Sequence, residues 1–197
     1  VTWASNVGNG RNGWQGFAYG AGVWVGVGED ASNNVMYSTD TTTWTNASGG
    51  TSNYKLSDVV YGQGKFVAVN STQTASTKGT FYSTDGMTWN ISANAGSTEG
   101  CRGIVFAPDI GDNGRFVAVG YAISSPVAMY SDDGLNWTQV PYESFSEGIA
   151  YGNGKFVAVS NNSCGKTKSV AYSSDGISWN YVGESNGALY NYWMRKA

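Results

Sequence analysis

Apolar and polar residues alternate along this chain in short runs, and the runs are separated by Gly, Asn, Asp and Ser. A period of two bounded by such residues is the pattern of half-buried β-strands joined by tight turns. The runs also recur. Valine-rich stretches at residues 25–27, 67–69, 117–119 and 157–159 each follow a shared block: Tyr19-Gly-Ala-Gly-Val-Trp24, Tyr61-Gly-Gln-Gly-Lys-Phe66, a stretched version from Phe106 to Phe116, and Tyr151-Gly-Asn-Gly-Lys-Phe156. A second block follows each run: Tyr37-Ser-Thr-Asp-Thr-Thr-Thr-Trp44, Tyr82-Ser-Thr-Asp-Gly-Met-Thr-Trp89, Tyr130-Ser-Asp-Asp-Gly-Leu-Asn-Trp137 and Tyr172-Ser-Ser-Asp-Gly-Ile-Ser-Trp179.

Both blocks predict hairpins. Asn153-Gly154 supplies the two positive φ angles of a type I′ turn and sets Tyr151 opposite Phe156. Asp85-Gly86 is expected to do the same, with Tyr82 opposite Trp89 and Ser83 opposite Thr88. Thr41 replaces the turn glycine in the first repeat, so a looser turn is expected there. Two hairpins make four antiparallel strands, A to D. Tandem four-stranded units of about 45 residues build β-propellers. The expected fold is therefore all-β: a β-propeller of four-stranded antiparallel blades, strand A innermost, in a single domain. Four complete repeats fall at about residues 14–53, 54–98, 99–144 and 145–187. Residues 1–6 read as a strand D and 188–194 as a strand A, the outermost and innermost strands of a partial fifth blade. Either the chain is a piece of a longer one, a partner supplies strands, or the ends pack differently on a four-bladed ring.

The Ser-x-Asp-Gly-x-Thr-Trp block resembles, in shortened form, the Asp-box of sialidases and many other propellers. The tandem blocks are also similar to propeller domains of phage tail, virion and bacterial surface proteins. The resemblance implies that Asp40, Asp85, Asp133 and Asp175 cap their own turns and lie away from any active site. It also implies an extracellular or virion-associated setting.

Composition narrows the chemistry. The chain of 197 residues has no histidine, a charged fraction of 13% and a net charge of −3. Histidine-dependent catalysis and histidine-ligated metals are excluded. Nucleic acid and membrane insertion are not expected, because no basic patch and no long apolar run is present. No cofactor or metal is expected either. Asp109, Asp112 and Asn113, in the insertion between Pro108 and Gly114, offer oxygen ligands but lack the spacing and terminal Glu of a calcium loop. Asn-x-Ser/Thr sites at Asn46, Asn70, Asn90, Asn136 and Asn161 are about as numerous as chance provides.

Turn lengths distinguish two ends of the propeller. The A–B and C–D turns are short, whereas the B–C and D–A connections are long and variable, and recognition usually uses such loops. Gln15, Ser57, Arg102 and Glu147 align near the mouth of the central channel on that end, with Asp58 one residue on. The ligand-binding candidates are Gln15, Glu29, Asn33, Asp58, Asn70, Arg102, Tyr121, Glu147 and Asn161. Tyr54, Tyr121 and Tyr142 either stack on a sugar ring or pack on blade edges. Cys101 and Cys164 fall on the long-loop face of adjacent blades, as a disulfide or as two unpaired thiols.

These features point to a non-catalytic binding module for a glycan or cell-surface receptor. The alternative is a structural or assembly component whose partners are neighbouring proteins of a virion or extracellular particle. A sialidase-like glycosidase fits less well: only four arginines are present, and the carboxylates outside the Asp turns show no evident pairing.

Overall fold

The computed structural model describes residues 13–29, 34–49, 51, 54–71, 80–92, 100–122, 125–160 and 168–184. The partial-blade segments 1–6 and 188–194 lie outside them. No helix occurs among the described residues. Strands β1 (Trp14–Gly20), β2 (Val23–Gly28), β3 (Val35–Ser38) and β4 (Thr45–Asn46) form the first antiparallel sheet. After β5 (Ser48–Gly49), strands β6 (Leu56–Gly62), β7 (Lys65–Asn70), β8 (Phe81–Ser83) and β9 (Thr88–Ile91) form the second. The third contains β10 (Cys101–Ala107), β11 (Arg115–Ala122), β12 (Ser125–Ser131) and β13 (Thr138–Val140). The fourth contains β14 (Ser146–Gly152), β15 (Lys155–Ser160), β16 (Lys168–Ser173) and β17 (Asn180–Glu184). The four sheets follow one another around a common axis, as the blades of a β-propeller, with β1, β6, β10 and β14 packed one on the next.

The A–B hairpins have the expected register, Tyr19 opposite Trp24, Tyr61 opposite Phe66 and Tyr151 opposite Phe156. Their turns are type I′ in character, with both central residues at positive φ, as in Asn153 at 49° and Gly154 at 67°. The aromatic pairs meet at 4.9, 4.8 and 4.7 Å between ring centroids.

The C–D hairpins differ from expectation. Tyr82 pairs with Asn90, not Trp89, and Tyr37, Tyr130 and Tyr172 pair with Thr45, Thr138 and Asn180. Side chains displace the register. Asp85 Oδ1 accepts the Met87 and Thr88 N–H groups, both at 2.8 Å, and Ser83 Oγ accepts the Gly86 N–H at 2.8 Å. The Ser83 hydroxyl donates to the same Asp85 oxygen. Backbone donors that a two-residue turn would direct across the ladder go to the Ser–Asp pair instead. The same arrangement recurs at Ser38–Asp40, Ser131–Asp133 and Ser173–Asp175. The first turn is not looser, because Thr41 adopts the left-handed conformation at φ 65° and keeps the same bonds.

One pairing escapes the repeat. Ser48 and Gly49 of β5 run parallel to Thr88 and Trp89, which adds a fifth strand to the second sheet and ties the first connection across two blades. The core lies between blades. Val25 and Val27 pack with Leu56, Val59, Phe66 and Trp89, and Val67 and Val69 pack with Ile104, Phe116, Met129 and Trp137.

Candidate functional site

Each innermost strand carries a β-bulge at one position. Register shifts fall between Trp14 and Gly16, Leu56 and Asp58, Cys101 and Gly103, and Ser146 and Gly148. The extra residue in each is Gln15, Ser57, Arg102 or Glu147, the four that align in the sequence. A bulge leaves one residue outside the ladder and re-aims its side chain. The fold thus presents one variable side chain per blade near the long-loop end of each inner strand.

Two of these meet a third candidate. The Arg102 guanidinium lies over the Tyr121 ring, 4.9 Å from its centroid. The Tyr121 hydroxyl donates to Glu147 Oε1 at 2.9 Å, and the Tyr121 ring packs on Phe145 at 5.8 Å. Cation, aromatic ring and carboxylate from the third and fourth blades therefore form one cluster. Stacking on the ring holds the guanidinium in place. Arg102 Nε is buried and has no hydrogen-bond partner among the described residues. Beside the cluster, the Ser57 hydroxyl donates to the Cys101 carbonyl at 2.7 Å and joins the second blade to the third.

Asp58 follows the bulge of the second blade, where the other blades have Gly16, Gly103 and Gly148. Its Oδ1 accepts the Val59 N–H at 2.9 Å and its Oδ2 accepts the Ile104 N–H at 3.0 Å. A Cβ on Gly16 would fall 2.7 Å from Oδ1, so this carboxylate fills the space between the first and third inner strands. Burial pushes its pKa up to about 6, against the opposing pull of the two N–H bonds.

The remaining candidates fall elsewhere. Gln15 is exposed, and Glu29 follows β2 with its N–H on the Gly13 carbonyl at 3.0 Å. Asn70 is fully buried at the end of β7, which removes it from the accessible surface. Asn33 and Asn161 lie outside the described residues. Tyr142 is buried against Trp179 at 5.1 Å, and Tyr54 packs on Phe81 at 4.7 Å, so both serve blade packing rather than an open platform. Cys101 is a free, fully buried thiol with its Sγ 3.6 Å from Met129 Sδ, and burial pushes its pKa up to about 12. Its candidate partner Cys164 lies outside the described residues. Asp109, weighed above as a calcium ligand, accepts the Tyr151 hydroxyl at 2.6 Å. Asn34, which the sequence places on the long-loop face, is buried instead, and its side-chain amide donates to the carbonyls of Thr51 and Tyr54.

Four blades with variable side chains at their inner-strand bulges define a β-propeller with a polar cluster at one end. No protein-family model and no curated protein sequence matches the chain. Among solved structures it is similar to an ancestral GH74 enzyme, with TM-score 0.66 and 15% identity over 89% of this chain and 25% of that one. It is also similar to YCF48 bound to D1 peptide, with TM-score 0.58 and 13% identity over 92% of this chain and 56% of that one. A third similarity is to the nidogen/laminin complex, with TM-score 0.59 and 13% identity over 83% of this chain and 61% of the other. The chain thus spans from a quarter to about six tenths of these chains. The shared feature is the propeller fold, which serves both enzymes and non-enzymes.

Proposed function

We propose that this propeller is a non-catalytic binding module that recognises a glycan or cell-surface receptor through the long-loop end of its inner strands. The observation that carries the reading is the Arg102–Tyr121–Glu147 cluster. A fixed cation and a carboxylate acceptor stand side by side at bulges, and such groups orient a polar ligand through hydrogen bonds. Aromatic and guanidinium groups also commonly anchor protein partners. Two of the similar structures, YCF48 with D1 peptide and nidogen with laminin, are complexes with peptide or protein partners, which is compatible with this use of the fold.

An assembly role is the second reading, favoured by exposed apolar side chains on the first and fourth blades.

The full chain, probed on a glycan array and on a panel of cell-surface ectodomains, is expected to bind at least one class saturably. Arg102→Ala is expected to weaken that binding by about tenfold or more, as for a charge-assisted contact. No binding in either format, or binding indifferent to Arg102, would refute the reading.

A further inference from the structure

The three internal junctions between blades follow one design. Strand B of the leading blade presents two valines, Val25 and Val27, Val67 and Val69, or Val117 and Val119, all fully buried by the next blade. In the first two junctions the last residue of strand A, Gly20 or Gly62, lies under the next blade's aromatic, where a Cβ would fall 2.1 Å from the Tyr61 ring or 2.4 Å from the Phe106 ring; in the third it is the fully buried Ala107. The next blade's turn glycine, Gly86, Gly134 or Gly176, approaches a valine methyl so closely that a Cβ would lie 2.8, 3.0 or 2.5 Å from it. In the second and third junctions a cation crosses as well. Lys65 Nζ donates to the Asp133 carbonyl at 2.9 Å, and Arg115 Nη1 donates to the Asp175 carbonyl at 2.8 Å.

The trailing side of the fourth blade carries the same parts with nothing on them among the described residues. Val157 and Val159 are 40% and 49% exposed. Gly148 and Gly152 have no atom within 4 Å of a Cβ position, and Lys155, which aligns with Lys65 and Arg115, is exposed. The leading side of the first blade carries the complement. Phe17, Tyr19 and Trp24 are 51%, 56% and 38% exposed, at the positions of Val59, Tyr61 and Phe66. Large contiguous apolar faces of this kind mark interaction surfaces.

We infer that the fourth blade of one copy receives the first blade of a second copy, head to tail, through the contacts that join blades within a copy. Tyr19 of the second copy then lies over Gly152, Val157 and Val159 pack on Phe17 and Trp24, and Lys155 donates to the Asp40 carbonyl. Repeated at the other end, the same contact closes a dimer and covers both faces. One position departs from the internal design: Thr41 stands where the other blades have the turn glycine. Val157 therefore meets a side chain there, and Thr41→Gly tightens the dimer.

Sedimentation velocity on the full chain tests the inference. The wild type sediments as a dimer. Val159→Glu and Trp24→Glu each sediment as monomers with unchanged circular dichroism, since both residues are exposed in the monomer. An equimolar mixture of the two variants recovers dimer, because it contains one intact pair of faces. A wild type that stays monomeric at all concentrations would overturn the inference. So would a dimer that survives either glutamate substitution, or a mixture that remains monomeric.

Discussion

Single side chains set the shape of the outer hairpins. In each blade a serine and an aspartate take backbone donors that the ladder would otherwise use, and the carboxyl group is held in its ionised form as a result. Bonds from the Thr88 and Met87 N–H groups lower the Asp85 pKa. At Asp133, burial pushes upward but the bonds from Asn136, Leu135 and Ser131 win and hold it at about 2. Ser131→Ala leaves the buried Gly134 N–H unpaired and is expected to cost about 1–3 kcal/mol in urea denaturation. Thr41→Gly relieves a β-branched residue of positive φ, which outweighs loss of the exposed Thr41 hydroxyl bond to the Asp40 carbonyl, and is expected to stabilise the monomer by up to about 1 kcal/mol.

Asp58 makes stability depend on pH in the opposite sense from the turn aspartates. Its pKa is raised in the folded state, from 3.8 to about 6, so between these values the folded chain binds the additional proton. Its contribution to stability is therefore greatest below about pH 4 and declines as pH rises to about 6, by about 3 kcal/mol in all. Asp85 and Asp133 have lowered pKa values, and their contribution is lost only as pH falls below 3.8. Urea midpoints are expected to peak near pH 4–5 and fall toward pH 7, and Asp58→Asn should flatten that fall. A midpoint that instead rises from pH 5 to pH 7 would contradict the burial assigned to Asp58.

At the scale of strands and turns, some features were legible from residue types and others were not. The A–B hairpins could be read because Asn153-Gly154 and its counterparts admit only a narrow set of backbone angles. The C–D register could not be read from Asp85-Gly86 alone. A turn governed by side-chain acceptors is spelled with the same residues as a type I′ turn. The bulges have no common chemistry, since Gln, Ser, Arg and Glu share neither size nor charge, yet alignment on the strand aromatics places all four at one position. The parallel pairing of Ser48-Gly49 gives no periodic signal over two residues. The meeting of Arg102, Tyr121 and Glu147 depends on inter-blade geometry, which sequence spacing does not encode. Glycines at equivalent strand positions also differ in consequence. Gly62→Ala would place a Cβ 2.4 Å from the Phe106 ring and is expected to cost about 1–3 kcal/mol. Gly152→Ala meets nothing within 4 Å among the described residues and should leave the stability of the monomer within about 0.5 kcal/mol. Thermal melts of the two variants, taken at a concentration where the chain is monomeric, measure that contrast.

Across the whole molecule, blade packing and ligand recognition occupy different places. Valines and aromatics between blades hold the four blades together, and the same residue types form the exposed outer faces of the fourth and first blades. The polar cluster sits at the long-loop end of the inner strands, fixed by bulges in the third and fourth blades. Assembly and recognition should therefore be separable by mutation. The most direct measurement is calorimetric titration of the best-binding glycan or ectodomain from the array and panel into wild type, Arg102→Ala and Val159→Glu. The account predicts that Arg102→Ala weakens binding by about tenfold or more while Val159→Glu binds as the wild type does. Equal affinity for wild type and Arg102→Ala would contradict it.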